Sequence, residues 1–186
     1  MIDVEIERVT LNTERLLLRQ FRLEDIDDIV KMGGFPTWDL SGPNPYTRQH
    51  AEEFLANTVL TPWNSMASFA AVLDNKVIGI INFKINRENE TSTIGYSIGE
   101  EHWAKGLASE AAQTVLIWAF KDLKLEKVSA TADVRNKRSI SVMRKLGMTR
   151  EALFRNDRVI RGVRTGMVWY GILRQEWTKV QDQRRL

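Results

Sequence analysis

The chain has 186 residues, 43% hydrophobic and 27% charged, the length of one domain and the balance of a globular protein, which excludes disorder, collagen and coiled coil. It has no cysteine and two histidines far apart in sequence, so thiol nucleophiles, disulfides and thiolate metal sites are excluded, no zinc or other metal is expected, and a reducing, cytoplasmic setting is expected. The net charge of +3 divides unevenly: residues 1–123 hold 11 Lys and Arg against 18 Asp and Glu, and residues 124–186 hold 16 against 6. Either that asymmetry vanishes when the halves interleave, or it presents a cationic and an anionic ligand to opposite sides of one site.

The basic residues of the back half are scattered among apolar strand positions, so no nucleic-acid partner is expected. No apolar run approaches the roughly 20 residues of a membrane span. The opening Met1-Ile2-Asp3-Val4-Glu5 has neither the basic nor the apolar region of a signal peptide. No period of 20 to 50 residues recurs, so a single domain over 1–186 is expected.

Leu16 to Phe21 reads as a first strand, followed by Leu23, Ile26, Ile29 and Val30 at helical spacing, with Glu24 and Asp25 suited to the first turn. Gly33 to Pro45, rich in Gly, Pro and aromatics, reads as a loop. Thr47 is placed to cap a second helix through Ala51, Phe54 and Leu55. Phe69–Leu73 and Val77–Ile85 flank Asp74-Asn75-Lys76 and predict an antiparallel hairpin; Thr91–Ile98 adds a third strand to the meander. A helix over Leu107–Asp122 follows, with Ala108, Ala111, Ala112, Val115, Trp118 and Ala119 along one stripe. Lys127–Ala132 is strand-like, Lys137–Leu146 a short basic helix ended by Gly147, and Met148–Arg155 and Arg164–Leu173 two closing strands. A meander followed by β-α-β-β predicts an α+β or mixed α/β fold, a mixed sheet of about seven strands with helices on both faces.

The segment most informative about chemistry is Ile94 to Glu110, a strand, a tight loop and a long helix opening at Gly106. A helix start offers unpaired N–H groups and a positive dipole end, and a small residue lets backbone approach an anion, so phosphate is the guest to consider. Walker and dinucleotide glycine patterns are absent. Taken alone, Gly106 is equally suited to a sharp strand-to-helix turn.

Four blocks in order carry a resemblance: Thr13-Glu-Arg15-Leu16-Leu-Leu18-Arg19; Ile94-Gly95-Tyr96 with Trp103-Ala-Lys-Gly106-Leu-Ala108; Asn136-x-x-Ser139 with Lys145-Leu146-Gly147-Met148; and Leu173-Arg174-Gln175-Glu176-Trp177. Together they resemble the GNAT N-acetyltransferase superfamily, in particular its Rim-type branch of ribosomal-protein N-terminal acetyltransferases. The resemblance implies acetyl-CoA as cosubstrate. Its pyrophosphate loop maps onto Trp103, Ala104, Lys105, Gly106, Leu107, Ala108 and Ser109, with Trp103 where the family has Gln or Arg. Its pantetheine strand maps onto Tyr96, Ser97 and Ile98, and Asn136 onto the side chain that helps hold that arm. An amide-bearing arm read by a strand edge is physically apt.

Acyl transfer to an amine needs a neutral amine, a stabilised oxyanion and a proton for the departing thiolate. By the resemblance Ser139 supplies that proton, since the Tyr that other branches place seven residues after the Asn is Met143 here. Thr131 stands where some amino-terminal acetyltransferases carry a Glu base. Glu100 is therefore the base candidate, with Glu101, Asp133 and His102 behind it. Gly166 replaces an Asp found in many Rim-type members. Arg135, Lys137, Arg138, Arg144 and Lys145 could meet a 3′-phosphate, and His50 with the Trp38–Tyr46 loop could shape the amine site. The acceptor expected is a protein N-terminal α-amine, with a small amine as alternative and a non-catalytic acyl-CoA sensor as a third reading. A monomer or homodimer, without membrane partners, is expected.

Overall fold

Asp74 and Asn75 both adopt positive φ, 49° and 63°, the left-handed backbone that Asp and Asn tolerate and that a two-residue hairpin turn requires. The computed structural model describes residues 6–33 and 45–183. Within them lie β1 (Leu11–Asn12), β2 (Leu17–Gln20), α1 (Ile26–Gly33), α2 (Arg48–Leu60), β3 (Met66–Leu73), β4 (Lys76–Asn86), β5 (Thr91–Ile98) and α3 (Leu107–Lys121). β6 (Lys127–Asp133), α4 (Lys137–Lys145), β7 (Thr149–Ile160), β8 (Val163–Leu173) and α5 (Arg174–Gln183) complete the chain order. The strands form one mixed sheet in the order β1-β2-β3-β4-β5-β6-β8-β7, antiparallel except where β5 meets β6.

The α+β class, the meander and the β-α-β-β close agree with the sequence-based expectation. The sheet has eight strands rather than about seven, because two residues, Leu11 and Asn12, pair with Leu18 and Leu17. The last hairpin also runs longer than Met148–Arg155 and Arg164–Leu173. Arg161 and Gly162, at φ 49° and 76°, make a two-residue turn that lets pairing continue to Ile160 and Val163. The helix from Arg174 was not signalled by an apolar stripe; Trp177 packs against Phe120 at 5.2 Å between ring centroids, so tertiary contact holds it. Residues 34–44 of the predicted loop lie outside the described residues.

Two cores sit on opposite faces of the sheet. α1 and α2 cover one face through Ile29, Met32, Ala51 and Leu55 against Phe21, Ala70, Val77 and Ile80. A buried Arg19–Asp25 pair at 2.7 Å, with Asp25 also accepting from the Arg22 amide, turns the chain from β2 into α1. On the other face α3 presents Ala111, Ala112, Val115 and Ala119, small side chains that let the helix lie close on the sheet. Trp118 is 4% exposed and meets Trp63, Phe69 and Phe83 at 5.6 to 6.2 Å, edge-on or tilted as aromatic quadrupoles prefer. Trp118→Ala should lower unfolding free energy by about 3–5 kcal/mol, read as a shift of the urea midpoint at unchanged slope.

Candidate active site

β5 and β6 pair for only three residues, Thr91 to Thr93 against Lys127 to Ser129, and then diverge. β5 stays paired with β4 as far as Ile98, and β6 with β8 as far as Asp133. From Ile94 onward the edge of β5 that faces β6 therefore has no strand partner among the described residues, and residues 94–98 line a cleft of about 1460 Å³. Tyr96, Ser97 and Ile98 of β5, Trp103, Ala104 and Gly106 of the following loop, Leu107, Ala108 and Ser109 of α3, and Asn136 and Ser139 of α4 all line it. Glu100 and Lys105 do not.

At the loop, Trp103 Nε1 donates to the Ile98 carbonyl at 2.7 Å, and the Arg138 guanidinium stacks 4.3 Å from its ring. Ala104 and Gly106 are left-handed, at φ 61° and 81°. Gly106 caps α3 without any side-chain hydrogen bond, so the N–H groups of the first turn remain available to an anion. A Cβ on Gly106 would meet only Arg15 Nη2, at 3.6 Å; glycine is required here by φ rather than by space.

The loop is held from behind by residues that sequence reasoning noted only as part of a resemblance. Arg15 Nη1 donates to the Lys105 carbonyl at 3.0 Å, its Nε donates to Glu110 Oε2 at 2.8 Å and its amide to Oε1 at 2.8 Å. Thr13 also donates to Glu110. Burial works against the Glu110 charge, but the bonds from Thr13 and Arg15 prevail and hold its carboxyl below the usual range. No local pattern flags a contact 95 residues apart in sequence.

At the opposite wall Asn136 caps α4, its side chain accepting from the Ser139 amide at 3.0 Å. The Tyr96 hydroxyl crosses from β5 to donate to the Ser139 carbonyl at 3.0 Å and lies 3.2 Å from the Ser139 hydroxyl. Burial pushes the Tyr96 phenol up to about 12, against the opposing bond to Ser139, so it stays protonated at neutral pH. Met143, fully buried, belongs to the core.

The base candidates fare unequally. Glu100 and Glu101 lie off the cleft on a 3-10 turn; Glu101 pairs with Lys31 at 2.9 Å. His102 reaches the cleft but leans on Glu101, 3.3 Å away. Asp133 lines the cleft, yet the Arg135 guanidinium 2.5 Å away, seconded by Thr165, lowers its carboxyl to about 2, which makes it a poor base. His50 lines the cleft, its Nδ1 accepting from the Thr47 amide at 3.0 Å. Glu53 of α2, unremarked in the sequence, also lines the cleft and accepts from Gln49 at 3.0 Å. From the basic segment, Arg135, Lys137, Arg138 and Lys145 line the cleft; Arg144 does not. Of the Trp38–Tyr46 loop, residues 38–44 lie outside the described residues.

The profile of the acetyltransferase (GNAT) domain matches residues 15–149. The uncharacterized N-acetyltransferase p20 of Bacillus licheniformis is 29% identical over 174 residues, covering 90% of this chain and 98% of its own. An acetyltransferase of the GNAT family from Bacillus anthracis superposes with a TM-score of 0.77 at 29% identity, over 90% of this chain and 99% of that one. RimL, the ribosomal L7/L12 α-N-protein acetyltransferase solved with coenzyme A, shares the fold at a TM-score of 0.79 and 16% identity, over 89% and 98% of the two chains.

The Asp133 pair yields a pH prediction. The native carboxyl titrates near 2 and an unfolded Asp near about 3.9, so the pair stabilises fully above about pH 4 and its contribution is lost as pH falls through about 2. Asp133→Asn should lower the thermal midpoint at neutral pH, and the gap to wild type should shrink steadily between pH 4 and pH 2.

Proposed function

The chain belongs to the acetyltransferase (GNAT) family, and from that premise we propose that it transfers the acetyl group of acetyl-CoA directly to the N-terminal α-amine of a protein. The observation that carries this reading is the divergence of β5 from β6, which opens one strand edge along a cleft ending at a helix start that no side chain caps. An extended amide-bearing arm fits such an edge as a surrogate strand, and a pyrophosphate fits the N–H groups of Leu107, Ala108 and Ser109. Asn136 holds the turn from which Ser139 faces the arm, and Arg138 and Lys145 offer charge to a terminal phosphate.

In this reading the Ser139 hydroxyl donates to the departing thiolate, backed by the still-protonated Tyr96 phenol. The amine's proton leaves through water to Glu53, the lining carboxylate not neutralised by an arginine, in place of Glu100. Relay through one water is sufficient for general base catalysis. With no base bonded in place, an amine already partly neutral is favoured. An α-amine has a pKa of about 7.7–8.0 and a lysine amine about 10.4, so their neutral fractions at pH 7 differ by roughly a hundredfold or more. The likeness to RimL in fold and the Rim-type sequence blocks agree with this acceptor.

Ser139→Ala should lower kcat by about 10² with little change in the KM for acetyl-CoA, because the bond to the thiolate strengthens only in the transition state; rapid CoA-release kinetics measure it. The acceptor is tested by kcat/KM for a Ser-initiated peptide, the same peptide blocked at its N-terminus but bearing one lysine, and spermidine. The free α-amine should be fastest. A faster spermidine or lysine peptide would replace this reading with a small-amine or ε-amine acetyltransferase.

A further inference from the structure

Beyond the cofactor wall, the cleft is closed by the β7–β8 hairpin, where Arg158, Ile160, Arg161 and Val163 line it. Residues 155–164 carry four arginines against one acidic residue, Asp157. What decides their use is a break in register. Phe154 pairs with Met167 and Arg158 with Thr165, so three residues of β7, Arg155 to Asp157, face the single Gly166 of β8. Asn156 takes φ 53° inside this bulge, and Arg164 Nη1 holds its carbonyl at 3.1 Å. Gly166 is part of the arrangement, because a Cβ there would lie 2.8 Å from the Phe154 carbonyl. Bulges of this kind change which residues stand opposite one another across the pair.

The residue that this shift sets opposite Thr165 is Arg158. Partners directly opposite across an antiparallel pair share a face, so Arg158 shares the face of Thr165, whose hydroxyl donates at 2.9 Å to Asp133, a residue that lines the cleft. Asp133 is already matched by Arg135. Among the described residues Arg158 itself has only Asp157 as a charged partner, 3.4 Å away with both side chains well exposed, a geometry of little energetic weight. Among the described residues, the Arg158 charge is thus not cancelled by the nearby wall.

We infer that Arg158 is a specificity residue that selects acceptors bearing a carboxylate close to the reacting amine. Resting on the proposed acetyl transfer, this makes the preferred protein N-terminus one with Asp or Glu just behind its first residue. A planar guanidinium recognises a carboxylate by paired N–H bonds, which an amide of the same shape cannot match in charge. The same chemistry could come from a small amino acid, and the assay separates the two sources.

The test compares kcat/KM for Ser-Asp- and Ser-Asn-initiated peptides of otherwise identical sequence, alongside β-alanine and β-alaninamide. In wild type the Asp peptide should exceed the Asn peptide by about tenfold. Arg158→Gln should erase the difference, and Arg158→Glu should reverse the order and favour a Ser-Lys peptide. Both variants should keep the calorimetric acetyl-CoA dissociation constant within about twofold, because the hairpin lies apart from the helix start. Equal rates for the Asp and Asn peptides in wild type, or an Arg158→Gln variant that retains the preference, would overturn the inference; so would a loss confined to acetyl-CoA affinity. If β-alanine outpaces every peptide and depends on Arg158, the carboxylate inference stands while the protein-N-terminus reading falls. If no amine releases CoA, both fall.

Discussion

Three pairs of residues hold β5 and β6 together before the strands separate, and the candidate site depends on that separation. A parallel pair satisfies its backbone groups by slanted bonds along its whole length; here the bonds stop at Thr93 while each strand remains anchored on its outer side by β4 or β8. The anchoring makes the unpaired edge rigid without filling it. The gap is bridged near its middle by the Tyr96 hydroxyl reaching Ser139, so one side chain of β5 sets the distance to α4. The cleft consequently has a backbone wall, a helix start at one end and a hydroxyl pair in between.

The two ends of the cleft are stabilised by different means. At the helix start, neither Ala104 nor Gly106 could hold the loop alone, since left-handed backbone costs Ala free energy and gives Gly no side chain to anchor. Arg15 and Glu110 supply the missing restraint from the strand face, with Arg15 bonded at once to the Lys105 carbonyl and to the first turn of α3. The acidic residue near the helix start thus serves the loop as well as the dipole. At the other end the β7–β8 hairpin shapes the opening by a bulge, and glycine at position 166 is what gives the bulge room.

The charge asymmetry between the halves of the chain survives folding at this cleft. The back half contributes Arg135, Lys137, Arg138, Lys145, Arg158 and Arg161, whereas the front half contributes Glu53 as its only lining carboxylate among the described residues. An anionic cosubstrate at the wall built by α4 is consistent with that field. The expectation that an acidic front would draw a cationic acceptor does not carry over to the described lining, because the other described front-half carboxylates lie off the cleft, several of them against partners of their own, such as Asp25 with Arg19 and Glu101 with Lys31.

Turn chemistry at Asp74-Asn75, the Thr47 cap, the alanine stripe of α3 and the glycine opening it were legible in the sequence because each is local: a turn type, a cap or a helical period is written in adjacent residues. The order of the sheet strands after β5, the buckle between Arg15 and Glu110 and the link from Tyr96 to Ser139 were decided only by tertiary structure, since they join residues far apart and leave no periodic trace. Asp133 shows the difference most sharply. As a sequence it is a carboxylate on a strand near a motif, a plausible base; in the fold Arg135 and Thr165 converge on it and hold it ionised. Residue type sets what a group can do, but the charges and hydrogen bonds that decide its protonation arrive from elsewhere in the chain.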